Sequence, residues 1–129
     1  MPYAVISTNL PKAEIPSDFI DNFAEKLAGI MKKHIQAMTV ILQTDLLMSR
    51  FGKSDPALCI VLRDVQPFDD KDKNRQISKD VISYVENMLN IEPARISIIF
   101  HPEDDCRVGL ADGVLLYDRH LKLGKISPR

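Results

Sequence analysis

The feature that most constrains this chain is a pattern that occurs twice: a short apolar strand, a helical stripe, then another apolar strand. In the first unit, Pro2 to Ser7 carries Tyr3, Val5 and Ile6 and reads as a strand. Thr8, Asn9, Leu10, Pro11 and Pro16 break it. Ser17 suits a helix N-cap, and Phe19, Ile20, Phe23, Ala24, Leu27, Ile30 and Met31 then recur at three- and four-residue spacing. That helix is expected to end near Lys32 and Lys33, whose charges suit the negative end of the helix dipole. Met38 to Leu42 reads as the next strand. In the second unit the apolar run Leu58 to Leu62 continues to Val65, and a polar loop with Asp69, Asp70, Lys71, Asp72 and Lys73 comes next. Ile77, Val81, Ile82, Val85, Met88 and Leu89 give a second helical stripe, Pro93 closes it, and Ile96 to Phe100 is a strand. Little residue identity links the halves. Each should be a right-handed crossover between parallel strands, so the pattern predicts an α/β fold of two β-α-β units, with two helices on one face of a four-stranded sheet.

Counting faces adds an assembly. Leu58 to Leu62 is apolar without alternation, as in a strand buried on both sides. Two helices cover one face, and no remaining segment is a good candidate for the other. Large exposed apolar faces usually mark interfaces, so an oligomer is expected. Composition removes several other classes. With 17 Lys plus Arg against 18 Asp plus Glu, nothing favours nucleic acid or an anionic membrane as partner. The 129 residues fit one domain that needs neither metal nor disulfides to hold a core. Cys59, inside the apolar run, reads as a small buried hydrophobe, and Cys106 as an exposed residue after an acidic loop; their spacing suggests neither a zinc site nor a redox pair. The N-terminus shows no signal peptide and no segment is long enough to span a bilayer, so the cytosol is the expected compartment, export requiring another route. No cofactor or metal is expected.

The same residues carry a family resemblance. The opening Met1-Pro2-Tyr3-Ala4-Val5-Ile6-Ser7-Thr8-Asn9-Leu10-Pro11, the helix entry Ile15-Pro16-Ser17-Asp18-Phe19, Lys33 after the first helix and Asp55-Pro56 before the central strand all fall in order. So do Asn74-Arg75 and Ser78-Lys79, Ile91-Glu92-Pro93-Ala94-Arg95-Ile96, and Val108-Gly109. Together they resemble the tautomerase superfamily, in the branch of macrophage migration inhibitory factor and D-dopachrome tautomerase. Ile98 to Pro102 leans toward the latter. The resemblance covers roughly residues 1–115, a single tautomerase-like domain, with 116–129 as a C-terminal extension. It implies a mixed sheet and a homotrimer whose sheets face a central axis.

It also implies a site. With Met1 removed, Pro2 becomes a free secondary amine that serves as general base on a small enolisable α-keto acid. Lys33 would hold the substrate carboxylate, and Val65 would give an apolar wall and a backbone contact. Burial and the Lys33 cation would both lower the basicity of the amine. The chain departs from the family at Ser97, Ile99 and Leu110, where tyrosine, asparagine and tryptophan are usual, and at Asp64 and Gln66, which replace Ser and Gly. The family's Cys-x-x-Cys is reduced to Cys59, so thiol-disulfide chemistry is not expected. The resemblance implies two functions: a phenylpyruvate-type keto-enol tautomerase, slowed by these replacements, or a non-catalytic cytokine-like ligand for a cell-surface receptor. His101-Pro102-Glu103-Asp104-Asp105 reads as a solvated acidic loop, and the basic run from Arg119 to Arg129 as a mobile solvated tail.

Overall fold

The computed structural model describes residues 1–126. Strand β1 (Tyr3–Thr8) leads into helix α1 (Phe19–Met31) and strand β2 (Thr39–Gln43). Strand β3 (Leu58–Asp64), helix α2 (Lys71–Leu89) and strand β4 (Ile96–Pro102) repeat the order, and helix α3 (Leu116–Lys122) comes last. The sheet order is β2-β1-β3-β4. Each unit's own strands are parallel, β1 with β2 and β3 with β4, and the units join through the antiparallel pair β1 and β3. The two-unit plan read from the sequence therefore closes into one mixed sheet.

Alternation along the strands divides the sheet. Ala4, Ile6, Leu58, Ile60 and Leu62 face the helices and pack against Phe19, Phe23, Leu27, Val81 and Val85, all of them buried. The other face has no cover. Across it the register aligns Ile41, Val5, Val61 and Ile99 into one apolar row that crosses all four strands. Ile99 is 58% exposed and Ile41 37%. The unbroken apolar run of β3 is thus two sets of residues, an inward one sealed by helices and an outward one open in the single chain. Cys59 belongs to the outward set. It is half-buried rather than sealed in the core, with Sγ 3.5 Å from Ser97 Oγ and 3.9 Å from Arg50 Nη1.

Two conspicuous sequence motifs hold the loop before β3. Thr8 Oγ1 donates to the Ala57 carbonyl at 2.7 Å, and Asn9 Nδ2 donates to the carbonyls of Ser54 and Asp55 while its Oδ1 accepts from the Ala57 N–H. From the opposite side Arg95, only 9% exposed, donates to the carbonyls of Arg50, Lys53, Asp55 and Pro56 at 2.9–3.2 Å. A loop that packs against the end of a sheet must find partners for its backbone. Here side chains from the ends of β1 and the start of β4 supply them.

Three expectations change in detail. Helix α1 starts at Phe19 with Asp18, not Ser17, as its N-cap, and no side-chain bond closes that end. The loop expected through Lys73 ends at Asp70, whose carboxylate accepts from the N–H groups of Asp72 and Lys73 and so starts α2 at Lys71. The C-terminal segment is not a solvated tail over its first turns. Leu116 is buried, 4% exposed, and His120 Nδ1 lies 3.1 Å from the carboxylate of Asp105, itself 2% exposed. That contact takes Asp105 out of the acidic loop and into the body of the protein. The far end of the basic run, at Arg129, lies outside the described residues. Leu116→Asp should release α3, at a cost of about 2–3 kcal/mol for the buried apolar side chain and the unpaired charge that replaces it. Faster amide hydrogen exchange confined to Leu116–Lys122 would report that release, with exchange in β1 and β3 unchanged.

Candidate functional site at the N-terminus

The β1–β3 register decides where the chain's start sits. Tyr3 pairs with Arg63, so Met1 and Pro2 come to rest against the last residue of β3, Asp64. Pro2 is fully buried, and its carbonyl accepts from the Thr39 N–H at 3.1 Å, which ties the terminus to the start of β2. The amine of Met1 stands 3.3 Å from Asp64 Oδ1. Asp64 is 2% exposed and fully engaged: Oδ1 also accepts from the Val65 N–H at 2.8 Å, and Oδ2 accepts from Gln66 Nε2 at 2.9 Å.

Met1 borders two cavities. The first, of about 330 Å³, is lined by Tyr3, Arg63, Val65, Glu103, Arg107, Val108 and Gly109. Arg63 is tied to Glu103 at 2.9 Å and lies 3.3 Å from His101 Nδ1, whereas the Arg107 side chain is exposed. The second cavity, of about 270 Å³, lies between the turn after α1 and the C-terminal helix, with His34, Arg119, His120 and Lys125 on its wall. Beside the Arg63–Glu103 pair, the first cavity presents Arg107, and the second presents Arg119 and Lys125, charges that suit an anionic ligand.

The structure brings Pro2 and Val65 together at this place but leaves Lys33 outside. Lys33 is exposed and borders neither cavity, although the next residue, His34, borders the second. Ser97 accepts a hydrogen bond from Arg50 Nη1 at 3.0 Å on the open sheet face, beside the exposed Ile99, and neither residue reaches the terminus of its own chain. The sequence points to burial and Lys33 as the influences on the terminal amine. It marks Asp64 only as a departure, because a β-strand carboxylate reads as surface until the register shows what lies opposite. The register of Tyr3 with Arg63 supplies that information, and it sets the buried Asp64 carboxylate against the start of the chain.

The family model described as Macrophage migration inhibitory factor (MIF) matches residues 1–116. The chain belongs to that family. Among its relatives, macrophage migration inhibitory factor of Rattus norvegicus is 29% identical over 109 residues, which is 84% of this chain and 94% of the relative. D-dopachrome decarboxylase-B of Xenopus laevis is 22% identical over 117 residues, 91% of this chain and 99% of the relative. Two solved structures share the fold. Macrophage migration inhibitory factor from Trichinella spiralis superposes with a TM-score of 0.80 at 24% identity, covering 88% of this chain and 98% of that one. The homologue from Prochlorococcus marinus gives 0.76 at 20% identity, again covering 88% and 98%. The family match ends inside the first turn of α3, so most of that helix lies beyond the matched domain. The motifs that carry the resemblance divide by role. Thr8, Asn9 and Arg95 hold a loop, Val65 lines the first N-terminal cavity, and Pro2 is buried next to Met1, which borders it.

Proposed function

We propose that this chain is a keto-enol tautomerase of the phenylpyruvate type, working as a homotrimer with Pro2 as general base once Met1 is removed. The observation that carries the reading is the burial of Pro2 beneath Met1, which itself borders both cavities. Removal of one residue therefore uncovers a secondary amine beside Val65, with Arg107 on the wall of the adjoining cavity. In the free-base form the Pro2 nitrogen takes the proton from the carbon next to the keto group. The electron pair moves onto the carbonyl oxygen, and the ammonium then returns a proton to that oxygen, so the enzyme ends as it began. The exposed Arg107, on the wall of the first cavity, is the charge offered to the substrate carboxylate. The apolar row Ile41, Val5, Val61 and Ile99 is the surface that trimer formation would cover.

A second reading is a cytokine-like ligand of a cell-surface receptor whose pocket is residual. It is favoured by Ser97 and Ile99: one is committed to Arg50 and the other is an exposed aliphatic side chain. Neither supplies the polar donor that a developing enolate needs, and loss of one such donor costs about 100-fold in rate. Turnover of phenylpyruvate by the processed protein separates the readings. Slow but measurable tautomerisation is expected, falling about 100-fold or more in Pro2→Gly with an unchanged circular dichroism spectrum. Equal rates in the two proteins would remove Pro2 from the mechanism, and no rate above the buffer reaction in the wild type would leave the ligand reading.

A further inference from the structure

We infer that the second cavity is a binding site for a small organic anion with an apolar body, and that the C-terminal helix builds it against the turn after α1. The site uses neither Pro2 nor Lys33 and goes beyond the tautomerase reading. The cations of its wall also lie beyond the family domain: the family match ends at residue 116, and Arg119 and Lys125 follow it.

The backbone that carries these cations is docked. The Leu110 N–H donates to the Val114 carbonyl at 2.7 Å and the Leu116 N–H to the Val108 carbonyl at 2.9 Å, so the chain turns back on itself just ahead of α3. Leu116 is buried in the first turn of α3. His120, four residues on and so on the same face, meets Asp105. The helix end is closed by the N–H groups of Gly124 and Lys125, which donate to the carbonyls of Leu121 and His120 at 3.1 and 2.9 Å. Lys125 is thereby folded back toward the last turn of α3, onto the same cavity wall as Arg119.

The charge on that wall is unanswered. The chain carries 18 acidic side chains against 17 Lys plus Arg, yet no carboxylate lines this cavity. Neither Arg119 nor Lys125 is in an ion pair among the described residues. Asp64 and Asp105 touch the wall residues Met1 and His120, but each is 2% exposed and neither lines the cavity. On the opposite side, His34 Nδ1 accepts from the Gln36 N–H, which leaves Nε2 as an N–H donor. A guanidinium, an ammonium and an imidazole N–H on one cavity, with no acid among them, suit an oxyanion. The rest of the wall is apolar: Leu116 is buried, but Leu123 is 67% exposed and Met1 37%. An anion with an apolar body covers that surface, whereas a bare inorganic ion leaves it in water. At about 270 Å³ the cavity stands near the lower end of ligand sites, about 300–1,000 Å³, and fits one ring or short chain with its acid group.

The test reads binding and its place together. The full chain, labelled with nitrogen-15, is titrated with phenyl phosphate, benzoate, inorganic phosphate and the uncharged benzyl alcohol, and amide shifts are followed by NMR. The two organic anions should move the amides of residues 34–37 and 116–125, and the other two probes should bind about 10-fold more weakly or less. Tighter binding of phenyl phosphate assigns a phosphate monoester to the site, and tighter binding of benzoate a carboxylic acid. Arg119→Gln combined with Lys125→Gln changes two exposed side chains and should weaken both organic anions about 10-fold or more. Three results overturn the inference: no binding of either organic anion, binding no tighter than that of benzyl alcohol or inorganic phosphate, or shifts confined to residues 63–65 and 107–109 around the first cavity. Unchanged affinity in the folded double variant overturns it as well. Turnover plays no part in this readout, so binding without phenylpyruvate tautomerisation sinks the tautomerase reading alone.

Discussion

Val61→Asp should yield a folded monomer, whereas Ile60→Asp should not fold. The two residues are neighbours in β3 and equally apolar in sequence, but they point to opposite faces. Ile60 is 1% exposed and packs into the helix-covered core, so an aspartate there is an unpaired buried charge with no route to water. That cost is comparable to the whole stability of a domain of this size, about 5–15 kcal/mol. Val61 lies in the outward row between Val5 and Ile99, where the single chain leaves a carboxylate access to solvent. The subunit tolerates the charge there, and an assembly that buries the row does not. Light scattering at micromolar concentration should give a trimer for the wild type and a monomer for Val61→Asp, with the far-ultraviolet spectrum retained. A wild-type monomer would sink the assembly, and a trimeric Val61→Asp would place the interface elsewhere.

The second large effect is expected at Arg95. Its guanidinium satisfies four carbonyls of the segment from Arg50 to Pro56, and truncation to alanine leaves them without their donors. Each orphaned buried acceptor costs about 1–3 kcal/mol where water cannot reach it. Partial rehydration of an exposed loop recovers some of that cost, so a net loss of about 3–5 kcal/mol is the expected result. Thermal unfolding should show it as a drop of about 10 °C or more. Arg95→Lys should recover little, because one ammonium cannot reproduce the fork that meets four oxygens. A shift of only one or two degrees in Arg95→Ala would mean that Thr8 and Asn9 hold the loop unaided. Because the loop precedes β3, and Asp64 and Val65 stand at the end of that strand, the N-terminal site would be the next part to loosen.

Much of this protein was legible in its sequence. The three- and four-residue spacing from Phe19 to Met31 and from Ile77 to Leu89 fixed two amphipathic helices, because a helix that buries one face must repeat its apolar residues at that period. The unbroken run from Leu58 to Leu62 marked the central strand and implied a second apolar face, and the structure shows that face as a row of four aliphatic side chains. The ordered motifs from Met1 to Gly109 placed the family.

The features that the sequence left open depended on pairing between distant segments. Nothing local to Thr8, Asn9 or Arg95 says that they meet the same loop, since the partners lie about 40 or more residues away for each. His120 reads as part of a charged tail until Asp105 is seen beside it, 3.1 Å from its Nδ1. Asp64 reads as a polar end to a strand until the antiparallel register sets the chain terminus against it. Hydrophobic periodicity reports which face of an element is buried but carries no information on what lies opposite. A single residue of register decides which residue of β3 the chain terminus meets, and only the tertiary structure makes that choice.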